Sequence, residues 1–185
     1  FSSALASTGA KGVTITGATV DAGGGDIEIR SQGSEGVALT DGASVTTSGD
    51  GDIAIYGAGT NGTGVRLDNA SVTTGAGDIV MYGLGGGSGG HKHGVYAVND
   101  AAICAVSGNI ELRGRGATNG SSTNNEGVKV QEDSLVEIQT GTDRTLSITG
   151  VGGTGTQYNI GVNVLKSTVR MGADATGRIE ISGTG

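Results

Sequence analysis

Four side chains able to hold a ligand recur at wide, nearly regular intervals: Arg30, Tyr56, Tyr82 and Arg113. Each stands two residues beyond an equivalent position (Glu28, Ala54, Val80, Glu111) in a short alternation that repeats along the chain. If those segments stack, two guanidinium groups flank two phenols, an arrangement favourable for cation–π attraction. Such a ladder either stabilises an exposed sheet or serves as a flat aromatic platform for a sugar ring or a neighbouring subunit.

Other groups point to chemistry less directly. His91 and His93 lie in Gly85-Gly-Gly-Ser-Gly-Gly-His-Lys-His-Gly94. Imidazoles suit zinc or copper, but the chain has no third His and Lys92 stands between the two, so a flexible loop without a metal is expected. Asp26, Asp52 and Asp78 recur at one point of successive repeats. Stacked carboxylates repel, and either calcium or hydrogen bonds from backbone N–H groups of their own Gly-rich turns would compensate; the turn is the reading adopted. Glu126, Glu132 and Asp133 read as a solvated charge group at turns. No nucleophile motif is present, and the outward column Thr14, Ala38, Arg66, Tyr96, Lys129, Asn163 contains no acid, so no catalytic residue and no enzyme are expected. No cofactor is implied. Cys104 should point outward, and a single thiol is either free or paired between chains.

These residues are positioned by a repeat. A Gly-Val pair begins at Gly12, Gly36, Gly64, Gly94, Gly127 and Gly161, with intervals of 24, 28, 30, 33 and 34 residues. Each pair opens one apolar alternation; a second centres on Val20, Val45, Val72, Ile103, Val136 and Val169. A third follows, in Asp26-Ile-Glu-Ile29, Asp52-Ile-Ala-Ile55, Asp78-Ile-Val-Met81, Asn109-Ile-Glu-Leu112, Thr145-Leu-Ser-Ile148 and Arg178-Ile-Glu-Ile181. Period-two alternation marks strands with one wet face, and a repeat of this length marks a solenoid. The expected fold is all-β: a right-handed parallel β-helix with three short strands per coil and about six coils. An antiparallel sandwich would need a short hairpin at every junction. It would also leave unexplained why Gly-Val resumes after connections as different as Arg30–Glu35 and Gly83–His93. In the helix such insertions bulge from one corner.

Composition narrows the function. Gly is 39 of 185 residues with no Pro and no Trp, yet the G-X-Y period of collagen is missing. A net charge of −7 argues against nucleic acid as a partner, and no apolar stretch reaches the ~20 residues of a membrane helix, so no membrane insertion is expected. Phe1 enters in mid-repeat, with Leu5 aligned on Ile29, so residues 1–185 read as a single β-helix segment of a longer repetitive protein.

Val72-Thr-Thr-Gly-Ala-Gly-Asp-Ile79, Ile148-Thr-Gly-Val-Gly-Gly-Thr-Gly155 and Asn159-Ile-Gly-Val162 resemble the repetitive regions of large bacterial filamentous-haemagglutinin-like exoproteins. The resemblance is compositional and covers nearly the whole chain. It implies a secreted or surface-displayed parallel β-helical stalk, often adhesive. The expected function is therefore a structural segment of an extracellular adhesin or fibre. A self-assembling filament subunit is the alternative, and a carbohydrate-active β-helix enzyme stands behind both. Expected partners are neighbouring coils or subunits, with carbohydrate or a host or cell-surface receptor as candidates at the Arg–Tyr–Tyr–Arg ladder.

Overall fold

A computed structural model describes residues 3–8 (backbone only), 12–118 and 123–185. Among them every regular element is a strand, and every strand pairing is parallel. Gly and β-branched Val, Ile and Thr disfavour helix, and the alternating burial of the strands supplies the competing stabilisation.

The strands form three ladders. The first joins β2 (Val13–Thr16), β5 (Val37–Thr40), β8 (Val65–Asp68), β11 (Val95–Val98), β14 (Val128–Gln131) and β16 (Val162–Leu165). The second joins β3 (Thr19–Asp21), β6 (Ser44–Thr46), β9 (Ser71–Thr74), β12 (Ala102–Ala105) and the beginnings of β15 (Leu135–Val151) and β17 (Thr168–Thr184). The third joins β1 (Ser3–Thr8), β4 (Ile27–Gly33), β7 (Ile53–Gly59), β10 (Ile79–Leu84), β13 (Ile110–Arg115) and the ends of β15 and β17. Each strand pairs with its counterpart one repeat away. Leu5 lies opposite Ile29, as the sequence alignment places it.

The last two repeats depart from three short strands. There the second and third strands run together into the 17-residue β15 and β17. Earlier repeats break at Gly-rich turns such as Gly49-Asp-Gly-Asp52, whereas Gln139-Thr-Gly-Thr-Asp-Arg-Thr145 has one glycine and more residues. That stretch stays extended and pairs with the equally long stretch of β17, with compensating register shifts between Ile138 and Thr140 and between Gly141 and Arg144.

Inward residues of successive repeats stack in columns. Val37, Val65, Val95 and Val128, then Val45, Val72, Ile103 and Val136, then Ile53, Ile79 and Leu146 are all 0 % exposed. The turn from first to second strand holds Gly17, Asp41, Asn69, Asn99, Glu132 and Lys166 at φ between 48° and 57°. Gly, Asn and Asp tolerate that left-handed conformation, and the recurrence keeps the turn in phase.

Two columns of glycine explain much of the Gly content. A Cβ on Gly57, Gly83, Gly114 or Gly150 would stand within 2.0 Å of the carbonyl oxygen of Gly64, Gly94, Gly127 or Gly161 respectively. The end of each third strand thus passes directly against the Gly-Val that opens the next first strand. The insertions at this corner are only partly bulges. A Cβ on Gly86 would lie 2.0 Å from the Gly59 carbonyl oxygen, and the Gly86 N–H donates to the Gly62 carbonyl (3.0 Å).

Candidate functional site

The third ladder brings the predicted platform residues into one column. Arg30 is opposite Tyr56, Tyr56 opposite Tyr82, and Tyr82 opposite Arg113. The Arg30 guanidinium carbon lies 3.9 Å from the centre of the Tyr56 ring. Each arginine also pairs with the acid two residues before it: Arg30 with Glu28, and Arg113 Nε with Glu111 Oε1 at 2.7 Å. Residues two apart on a strand share a face, so these acids steer the guanidinium groups along the outer surface. Tyr82 is 40 % exposed. The result is an open strip of two neighbouring rings with a cation at each end.

A second cluster, missed by sequence reasoning, lies at the corner before the first strands. The residues just before Gly36, Gly64, Gly94, Gly127 and Gly161 are Glu35, Thr63, His93, Glu126 and Ile160. Backbone hydrogen bonds from each glycine N–H to the carbonyl of the next such residue hold them in a column. His93 and Glu126 are therefore neighbours, with Nδ1 and Oε2 2.7 Å apart and both side chains 2 % exposed. Lys129 Nζ reaches Glu126 Oε1 at 3.1 Å. The expectation of a solvated Glu126 is thus corrected, because register with His93 carries it inside. Glu132 and Asp133 do sit in a turn, at φ 57° and 60°. His93, expected on a flexible loop, is buried against Tyr96, ring centres 4.7 Å apart, while His91 is exposed. Equal position in adjacent repeats was the available signal.

The electrostatics follow from burial and pairing. Burial lowers the His93 pKa from its ordinary 6.5, against the opposing pull of the adjacent Glu126 carboxylate. Burial alone would raise Glu126, but His93 and Lys129 hold it down to about 2. Burial, then the charges of Glu132 and Asp68, push Tyr96 up to about 12.

The His93 and Glu126 shifts have the same sign for stability. Below about pH 6.5 the unfolded chain protonates His93 more readily than the folded chain does. From 4.5 down toward 2 the same holds for Glu126. Proton uptake on unfolding therefore destabilises the fold as pH falls. Denaturant midpoints should drop steadily below pH 6.5, and His93→Gln should flatten the part of the profile just below pH 6.5. An unchanged slope in that variant would contradict the assignment.

The aspartate column is a hydrogen-bonded chain across repeats. Asp26 Oδ1 accepts from the Asp52 N–H (2.9 Å), Asp52 Oδ1 from the Asp78 N–H (2.7 Å), and Asp78 Oδ1 from the Asn109 N–H (2.7 Å). Asn109 Oδ1 continues it to the Thr145 N–H at 2.9 Å. The donors lie in the following repeat rather than in each residue's own turn, because stacking aims those N–H groups at the column. Among the described residues no three His, Cys, Asp or Glu side chains come together to hold a metal ion. Cys104 is in register with Thr73 and Glu137 on the outer face, yet it is 8 % exposed. Burial first, then the charge of Glu137, raises its pKa. A thiol so covered and protonated is a poor partner for a disulfide between chains.

Comparison with protein-family models, curated proteins and solved structures finds no match to this chain.

Proposed function

We propose that the chain is a structural segment of an extracellular or cell-surface adhesin or fibre protein, wound as a right-handed parallel β-helix of about six coils. The observation that carries this reading is the pairing of every strand with its counterpart in the adjacent repeat, in three ladders of which the second and third join through β15 and β17 into one sheet. Right-handed winding is supported by the strong preference of parallel crossovers for that hand. Continuous backbone ladders along one axis make a stiff rod, and insertions at one corner decorate it without breaking register. The resemblance to filamentous-haemagglutinin-like exoproteins agrees with such a stalk and with display outside the cell.

The adhesive element in this reading is the strip Arg30–Tyr56–Tyr82–Arg113, with carbohydrate or a surface receptor as its partner. The strip is tested by glycan-array binding of the purified protein and of Tyr56→Ala/Tyr82→Ala. Loss of binding with an unchanged melting temperature is expected. Equal binding by the variant, or no binding by either protein, would remove the adhesive role.

The alternative of a filament subunit concerns the outer face of the last described repeat. Leu146 and Ile148 are 0 % exposed, while their in-register partners Ile179 and Ile181 are 41 % and 52 % exposed. In the stalk a following repeat of the same chain would cover them, and in the filament a second copy stacked on β16 and β17 would do so and pair the open strand edges. Sedimentation showing a monomer at all concentrations would remove that reading.

A further inference from the structure

A cleft of about 460 Å³ opens beside the first ladder, lined by Glu35, Asn61, Arg66, Lys92, His93 and Tyr96, among others. Four of these, Glu35, Asn61, Lys92 and His93, come from the corner column or the connection before it, and Arg66 and Tyr96 are neighbours in the outward column of β8 and β11. The cleft is distinct from the Arg–Tyr strip on the third ladder.

The acids around it are already engaged. Glu35 Oε1 accepts from Arg66 Nε at 2.8 Å. Asp68 accepts from Arg66 Nη1 (2.9 Å) on one oxygen and from the Asn99 amide (2.8 Å) on the other. Glu126 behind the wall faces His93 and Lys129.

Donors are what remain. Arg66 Nη2 has no acceptor among the described residues. Lys92 Nζ makes one hydrogen bond, to the Asn61 carbonyl at 2.7 Å, of the three it can donate. The Tyr96 hydroxyl accepts from Gln131 Nε2 at 2.7 Å, which leaves its own proton to give. Arg66, Lys92 and Tyr96 are all partly buried, where charge-assisted hydrogen bonds are stronger than in open solvent. Counting Asp68 on Arg66, two cations face two acids here, so the cleft is locally balanced in a chain whose net charge is −7, and its unengaged groups are the donors.

We infer that this cleft binds an oxyanion group, a carboxylate, sulfate or phosphate carried by a small polar ligand, held by Arg66 and Lys92 with the Tyr96 hydroxyl as a third donor. A cation finds too few unengaged acceptors here, and an apolar ligand meets a polar wall. Arg66 presents a planar fork that Glu35 and Asp68 fix in place, the preorganisation that oxyanion recognition rewards.

The test is a titration of the purified chain at low ionic strength, followed by amide and side-chain NMR shifts. Sodium sulfate, inorganic phosphate and glucuronate are the probes, with glucose as the uncharged control. Saturable shifts at Arg66, Lys92 and Tyr96 are expected with the anions and not with glucose, and the order among the three anions assigns the source. Lys92→Gln should weaken binding about tenfold and Glu35→Gln should tighten it, each with an unchanged melting temperature. A merely structural cleft would not show that opposite pair of signs. Absence of saturable shifts, equal binding of glucose, or two folded variants that bind like the parent would overturn the inference.

Discussion

Val72→Asp is expected to cost about 3–5 kcal/mol, a large share of the about 5–15 kcal/mol that holds a typical domain folded. Val72 is fully buried between Val45 and Ile103 in the second ladder. An aspartate there finds neither a cation nor water, so it is either buried as a charge or protonated against its ordinary pKa, and both are costly. The column offers no other exit, because turning the side chain outward shifts the strand by one residue and exposes every apolar neighbour. Thr14→Asp, on the exposed face of β2, should change stability by no more than about 0.5 kcal/mol. Urea melts of the two variants check this directly. Comparable losses would mean that inside and outside are wrongly assigned.

Gly83→Ala is expected to be nearly as damaging despite adding one methyl group. Its Cβ would stand 2.0 Å from the Gly94 carbonyl oxygen and 2.4 Å from the Gly94 carbonyl carbon. Both are backbone atoms held by the first ladder, so relief requires moving one repeat against the next. Overpacking of a tight site costs ~1–3 kcal/mol, and the rigidity of this contact places the change at about 3 kcal/mol or above. Gly89→Ala is the control. Its nearest neighbour is Lys92 Cε at 3.4 Å, the mobile end of a long side chain. A Gly83→Ala protein that melts with the parent would show that the two strands do not pass in contact.

The contrast between these glycines marks what the sequence could convey. Alternation in Val65-Arg-Leu-Asp68 or Ile79-Val-Met-Tyr82 displays which residues face inward, since period two leaves one choice of face. Repetition then sets which residues lie opposite, and so Arg30, Tyr56, Tyr82 and Arg113 could be aligned before any coordinates. Contacts between different strands of a repeat are another matter. That Gly83 abuts Gly94 depends on how sharply the chain turns at the corner, and nothing in the alternation encodes that angle.

His93 and Glu126 show a subtler gap. Both occupy the place before Gly-Val, so their adjacency was readable. Their burial was not, because the position is filled by Glu35 and Thr63 in earlier repeats and lies outside any alternating strand. The fused β15 likewise reflects three additional residues between Val136 and Leu146, compared with the spacing from Ile103 to Ile110, whose effect on the turn the pattern leaves open. The aspartate column was legible as a column, but its donors belong to the following repeat and only stacking reveals them.

The central claim is that each repeat pairs in parallel and in register with the repeats before and after it. Cross-strand nuclear Overhauser contacts in the folded chain measure this most directly, because parallel and antiparallel ladders bring different backbone protons together. The ladders predict contacts between the Hα and amide protons of facing residues along three chains: Val65 to Val95 to Val128, Val45 to Val72 to Ile103, and Ile53 to Ile79 to Ile110. Close Hα–Hα contacts between strands consecutive in sequence, such as β8 with β9 or β9 with β10, would reveal antiparallel hairpins and contradict the account.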